Sequence, residues 1–208
     1  MPSAPVAIVS CHLEHPLDDA SWRRFDALQR RRPGGFGVIA LMRPPDPEHG
    51  EDESVWLERA LQAAARAPFG LHTHWTSPAH ARPTGGDPAA RVRAETVWMR
   101  EHGLDPRFFC GGGWYTDDGV RAAVSELGLV DCTVRGGVPG PGVLPTTHSL
   151  GALARAVLRP LPAYVHAYFH DYDLLDPVRW GALNAALAVL GRRRSPVDPL
   201  SVSEPSVR

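Results

Sequence analysis

Short apolar runs alternate along this chain with longer stretches of helical period. Residues 6–11, 36–42, 69–74, 107–110, 129–134 and 164–170 have the length and side-chain character of strands. Between them, residues 19–32, 53–67, 87–103, 117–128, 149–158 and 177–193 carry helical patterns. In the third of these, Val92, Thr96, Met99 and Gly103 fall three and four apart, on one helical face. Asp19 and Asp117 stand where N-caps are expected, and Pro177 suits a first helical turn. Repeated strand–helix alternation predicts parallel pairing, in an α/β barrel or a doubly wound sheet. Two regions break the pattern. Residues 135–145 form a Gly/Pro loop, and residues 195–208 lack periodicity and read as a disordered tail. Residues 1–194 are left as a single domain.

Ligands of parallel α/β proteins bind at the carboxyl ends of the strands, so unusual polar residues there carry the most information. The first strand ends in Cys11-His12-Leu13-Glu14-His15, with Asp18 and Asp19 beyond, and the fifth carries Asp131. The third ends in His72-Thr73-His74-Trp75, with a further imidazole at His80. On a strand, His72 and His74 share a face and make a natural pair of metal ligands. The plainer alternative is a pair of hydrogen-bonded or exposed imidazoles. His12 and Glu14 also share a face, and a carboxylate with histidines suits a divalent ion; Glu14 could equally be solvated. The fourth strand runs into Gly111-Gly112-Gly113-Trp114-Tyr115, where glycine admits either a close approach to a ligand or a flexible turn. Trp75, Trp114, Tyr115 and Tyr172 are candidates for stacking on a sugar, with a place in the core as the alternative. The last strand ends in His170-Asp171-Tyr172-Asp173, where acidic neighbours support His170 in proton transfer. His102, His148 and His166 read as structural.

Composition narrows the chemistry. With 208 residues, one domain is the default, and a net charge of −1 supplies no field toward nucleic acid or an anionic membrane. All 22 basic residues are arginine. The absence of lysine excludes a Walker-A lysine, a Schiff-base lysine and the usual attachment of pyridoxal phosphate. Cys11, Cys110 and Cys132 lack CxxC spacing and read as buried thiols in a reducing interior. The apolar run at 6–11 is too short for a leader or a membrane span, which predicts a cytoplasmic protein.

The order of these strand ends resembles the polysaccharide deacetylase superfamily (carbohydrate esterase family 4, NodB-homology), especially its branch with an Asp-x-Glu-Asp type first motif. The similar segments are Ser10-Cys11-His12-Leu13-Glu14-His15, Gly70-Leu71-His72-Thr73-His74, Phe108-Phe109-Cys110-Gly111-Gly112 and Tyr168-Phe169-His170-Asp171-Tyr172-Asp173-Leu174-Leu175-Asp176. The resemblance spans residues 6 to about 194. It implies a distorted (β/α) barrel with about seven mostly parallel strands. It also implies hydrolysis of N- or O-acetyl groups on sugars with a divalent metal, zinc foremost, with nickel, cobalt or manganese as alternatives. By analogy Glu14 is the carboxylate ligand and His170 the general acid. Three positions depart from the family. Its general-base aspartate is replaced by His12. The residue four after His72 is Thr76, leaving His74 or His80 as the second histidine ligand. The arginine that orients the base is replaced around Cys110.

Three functions compete at this point. The first is a metal-dependent hydrolase of an acylated amino sugar or related amide, a small or lipid-linked molecule. There His12 would act as base, and His170, held by Asp173, would protonate the leaving amine. The second is a catalytically degenerate member of the fold that binds carbohydrate or regulates a partner. The third treats His72-Thr73-His74 as the HxH of a PHP or amidohydrolase-type enzyme. Those families place HxH on the first strand and two strands precede it here, which ranks this reading last.

Overall fold

Side-chain alternation sorts the chain into an inside and an outside. In the computed structural model, which describes residues 5–203, β1 (Val6–Leu13) turns Ile8 toward one apolar cluster and Ala7, Val9, Cys11 and Leu13 toward another. A strand buried on both faces reads as a nearly continuous apolar run, which is why β1 was legible. There follow α1 (Asp19–Arg31), β2 (Ile39–Met42), α2 (Glu53–Ala64), β3 (Phe69–Thr73), α3 (Pro88–Glu101), β4 (Phe108–Gly111) and α4 (Asp118–Glu126). Then come β5 (Val130–Asp131), β6 (His148–Ser149), α5 (Leu150–Ala156), β7 (Tyr164–His170), α6 (Pro177–Arg193), β8 (Ser195–Pro196) and α7 (Pro199–Ser203).

The strands pair in parallel in the order β5-β4-β3-β2-β1-β7-β6. Single parallel bridges, Asp131↔Val143 and Arg135↔Thr146, tie β5 to the segment that runs into β6. The two edges of the curled sheet therefore meet through part of the expected Gly/Pro loop. The product is a distorted (β/α) barrel of seven parallel strands with helices outside. Outside, Phe25, Leu28, Trp56 and Leu187 pack the helices onto the sheet; inside, Ile8, Ile39, Leu41, Phe108, Cys110, Cys132 and Tyr164 fill the barrel. All three cysteines are buried and unbridged.

Short polar side chains start the helices. Asp18, Asp52, Asp87, Asp117, Ser149 and Asp176 each accept a backbone N–H from the first turn that follows. The cap of α1 is thus Asp18, which accepts Ser21 N at 2.7 Å. Asp19, expected in that role, is the first helical residue and pairs with Arg59.

The expected unstructured tail is corrected as far as Ser203. β8 pairs with β1 at Val6↔Ser195 and Ala7↔Pro196, and Val197, Leu200 and Val202 pack against the inner cluster. These apolar residues cover the amino-terminal mouth of the barrel, a task that needs no helical or strand period. Residues 204–208 lie outside the described residues. Among the described residues, no helix is long and apolar enough to cross a membrane.

Candidate metal centre

The carboxyl ends of β1, β3 and β7 bring imidazoles together around one carboxylate. Register sets this up: His12 lies opposite His170, and His72 opposite Cys110. Glu14 Oε1 stands 3.7 Å from His72 Nε2, 3.9 Å from His74 Nε2 and 3.7 Å from His170 Nε2. His72 Nδ1 donates to Cys110 O at 3.0 Å, and His74 Nδ1 donates to Pro78 O at 2.8 Å. With their protons committed there, both rings present a bare Nε2 lone pair, and both Nε2 atoms are buried without a hydrogen-bond partner. Two lone pairs aimed at a carboxylate repel it unless a cation lies between them. Carbonyls that accept the other ring N–H and so fix the tautomer are the usual companions of ligating histidines. Glu14, His72 and His74 therefore fit a divalent ion, three donors that fall one short of a tetrahedral set.

Burial tends to raise the Glu14 carboxyl, but a proton on His72, His170 or His74 outweighs it and holds it down to about 2, so this corner of the barrel favours a positive charge against Glu14, whether a proton or a metal ion. Burial, with His72 beside it, pushes His74 down to about 4, so its imidazole is neutral and able to ligate. His12 sits deeper, its ring 4.8 Å from that of His72, 5.1 Å from His170 and 5.3 Å from Trp114. Burial and those imidazoles push His12 well below the ordinary histidine range.

Neighbouring residues hold this group in place. Arg43, buried at the end of β2, donates from Nε to Glu14 O at 3.0 Å and is clamped by both oxygens of Glu51. The fully buried Asp171 accepts His15 N at 2.7 Å, fixing the chain just past Glu14. His170 stacks on Tyr172 at 4.9 Å with a 7° angle between rings. Its Nδ1 lies 3.7 Å from Asp173, which accepts from Arg179 at 2.5 Å and from the His170 backbone at 3.0 Å. The glycine run answers a packing demand: a Cβ on Gly112 would lie 2.6 Å from Thr73 O and 3.0 Å from His74 Cδ2. Trp114 follows it at a positive φ of 59°, a rare conformation for a bulky side chain, with its ring against Tyr168 and under Arg135.

The structure thus gathers His12, Glu14, His72, His74, His170, Asp173, Trp114 and Tyr172 at one end of the barrel. Three expected members lie elsewhere. His80 is exposed in the turn after β3 with its Nδ1 on Ser77 Oγ at 3.1 Å, so the second histidine of the donor group is His74. Trp75 is buried in the outer core and donates from Nε1 to Gly112 O at 3.1 Å. Tyr115 packs beside it and donates to Asp117 at 2.6 Å. Trp75 follows an inward residue by one position, which on a pleated chain turns it outward, whereas Tyr115 is turned outward by the positive-φ turn at Gly113 and Trp114. Arg43 escaped the sequence reading, while Tyr168 and Asp171 entered it only as members of the last strand-end segment, without the contacts they make here. Arg43 had one signal available, as the only charged residue at the end of β2.

Barrel and donor set together define an open histidine–carboxylate site at the carboxyl ends of parallel strands. No protein-family model matches the chain, and comparison with curated proteins finds no match. Among solved structures the chain is similar to a CE4-family pseudoenzyme from Bacillus anthracis, with TM-score 0.63 and 11% identity, over 98% of this chain and 67% of that one. It is also similar to a family 4 carbohydrate esterase from Streptomyces lividans in complex with acetate, with TM-score 0.57 and 14% identity, over 95% of each. A 4-alpha-glucanotransferase from Thermococcus litoralis shares the fold over 94% of this chain but 38% of its own, at TM-score 0.58 and 12% identity. The chain has the fold of the CE4 polysaccharide deacetylases, the superfamily that its strand ends resemble.

Proposed function

We propose that the protein is a divergent polysaccharide deacetylase-like hydrolase that uses a divalent ion to remove an acyl group from an acylated amino sugar or related amide. The observation that carries this reading is the pair of bare, buried Nε2 atoms of His72 and His74 converging on Glu14 Oε1. A divalent ion there would polarise the acyl carbonyl and lower the pKa of a bound water. His170 stands at the rim, its side chain 20% exposed, with Asp173 behind it and Tyr172 against its face. That placement lets Nε2 hand a proton to the leaving amine. Tyr172 offers an exposed face to a sugar ring, and Arg135, which lies over the Trp114 ring, lines with Thr147, Ser149 and Tyr168 an adjoining pocket of about 390 Å³. We take the substrate to be a small or lipid-linked sugar, the ion to be zinc, and the compartment to be the cytoplasm.

The test is elemental analysis of protein purified without a histidine tag, followed by acetate release from N-acetylated sugars. We expect one zinc, nickel, cobalt or manganese per chain and turnover that collapses in His170→Ala. Protein with no such metal overturns the mechanism. One observation favours a second reading, a degenerate carbohydrate-binding protein. His12, at the position of the family's base, is 2% exposed and walled in by imidazoles and aromatic rings. That reading expects metal and sugar binding to survive His170→Ala with no turnover in either protein.

A further inference from the structure

Beneath the Glu14 centre lies a second donor group that the proposed chemistry leaves unused. His12, His72 and Cys110 are all buried, and their ligand atoms lie within 4.8 Å of one another. His12 Nε2 is sealed from water with no hydrogen-bond partner, a condition that is unfavourable when nothing relieves it. The Cys110 thiol has Gly111 O at a long 3.9 Å, with the Thr133 side chain beside it. The rings of Trp114, Tyr168 and His170 surround His12, so no solvent channel explains the unpaired nitrogen.

We propose that this group is a second seat for the metal, a nitrogen–sulfur seat formed by His12, His72 and Cys110, which competes with the Glu14–His72–His74 seat for one ion. Competition follows from His72. Its Nδ1 is held by Cys110 O, so its single remaining lone pair on Nε2 serves one seat at a time. The two seats differ in kind. Glu14 with two imidazoles is a harder set open to the cleft, whereas a thiolate with two imidazoles is softer and closed, and selects zinc, cobalt or cuprous ion over manganese or magnesium. Occupation is a proton exchange without redox change: the Cys110 S–H bond breaks, a sulfur–metal bond forms, and the proton leaves to solvent. An ion in the closed seat is withdrawn from the cleft.

This inference shares His72 with the reading above, and cobalt(II) added to metal-free protein separates the two. A thiolate ligand gives bound cobalt a strong near-ultraviolet charge-transfer band, whereas nitrogen and oxygen ligands alone do not. Glu14→Gln is the deciding variant, because it weakens the open seat and leaves the closed one whole. We expect bound cobalt to show the band in Glu14→Gln and to lose it in Cys110→Ser, with Cys11 and Cys132 still present. Cobalt bound to Glu14→Gln without the band overturns the closed seat, as does a band that persists in Cys110→Ser. Should Cys110→Ser fail to fold, cobalt-edge X-ray absorption of Glu14→Gln decides, since a coordination shell without sulfur overturns the inference equally. Failure of the wild type to bind cobalt at all sinks both this seat and the proposed hydrolytic centre; a wild type that binds cobalt while Glu14→Gln binds none, or binds it without sulfur, sinks only this one.

Discussion

Two backbone carbonyls determine what the histidines can offer. Because Cys110 O and Pro78 O take the Nδ1 protons of His72 and His74, both rings face Glu14 as acceptors. Removing Glu14 or His74 would delete a ligand of the proposed ion, so Glu14→Gln and His74→Ala are expected to weaken metal binding in the cleft by at least the ~10–100-fold that loss of a hydrogen-bonding partner behind a ligand costs. Competition against a chelating dye measures this. Elsewhere in the barrel, His166 shows the opposite use of an imidazole. Its Nε2 accepts from Ser10 Oγ at 2.9 Å, its Nδ1 donates to Leu144 O at 3.2 Å, and burial pushes its pKa from 6.5 to about 4. The unfolded chain therefore takes up this proton first. The stability contribution is complete above pH 6.5 and is lost as pH falls toward 4, by ~1.4 kcal/mol per unit and about 3 kcal/mol in all. Urea unfolding across that window is expected to show a shallower pH dependence in His166→Gln than in the wild type, by up to that amount; identical slopes would remove His166 from the acid response.

Among the elements, the connection after β4 controls the site as firmly as any strand does. A methyl group on Gly112 meets Thr73 O, Ala81 O at 2.8 Å and the His74 ring. Gly112→Ala is therefore expected to cost about 1–3 kcal/mol and to weaken metal binding by tilting His74. Gly140, whose Cβ would meet nothing within 4 Å, is the control expected to leave both unchanged. Thermal unfolding and metal titration of the pair check this. The same connection marks where the sequence became hard to read. Strands and helices were legible because the apolar runs are buried on both faces and each helix starts on Asp or Ser. His72 and His74 were legible as a same-face pair, and the same alternation turns Trp75 outward, away from the sugar-stacking role expected of it. What separated Trp114 from Tyr115 was a turn with positive φ at Gly113 and Trp114, which no periodicity encodes. Arg43 was hidden for another reason: it acts through its contact with the Glu14 backbone, on a different strand.

At the scale of the whole molecule, the two ends of the barrel divide the work. The carboxyl end gathers imidazoles and carboxylates, and the amino end is closed by Val197, Leu200 and Val202 against Ile8, Phe108 and Tyr164. β8 extends this closure by pairing beside Val6 and Ala7, and Ser203 O accepts from Gly142 N at 3.3 Å. Partial burial of three such side chains contributes on the order of 3 kcal/mol, about half of what full burial of each would give. A chain ending at Arg194 is therefore expected to unfold at lower urea concentration by that much and to bind a hydrophobic dye at the opened mouth. The proposed metal seat should persist, because Glu14, His72 and His74 lie toward the carboxyl ends of β1 and β3, whereas the deleted segment pairs with β1 at Val6 and Ala7. The measurement is a metal titration beside a urea melt on the shortened chain. Unchanged stability would mean the closing segment is ornamental to the core. Loss of metal binding at full folding would mean that the barrel transmits the state of one mouth to the other, against the separation that its register implies.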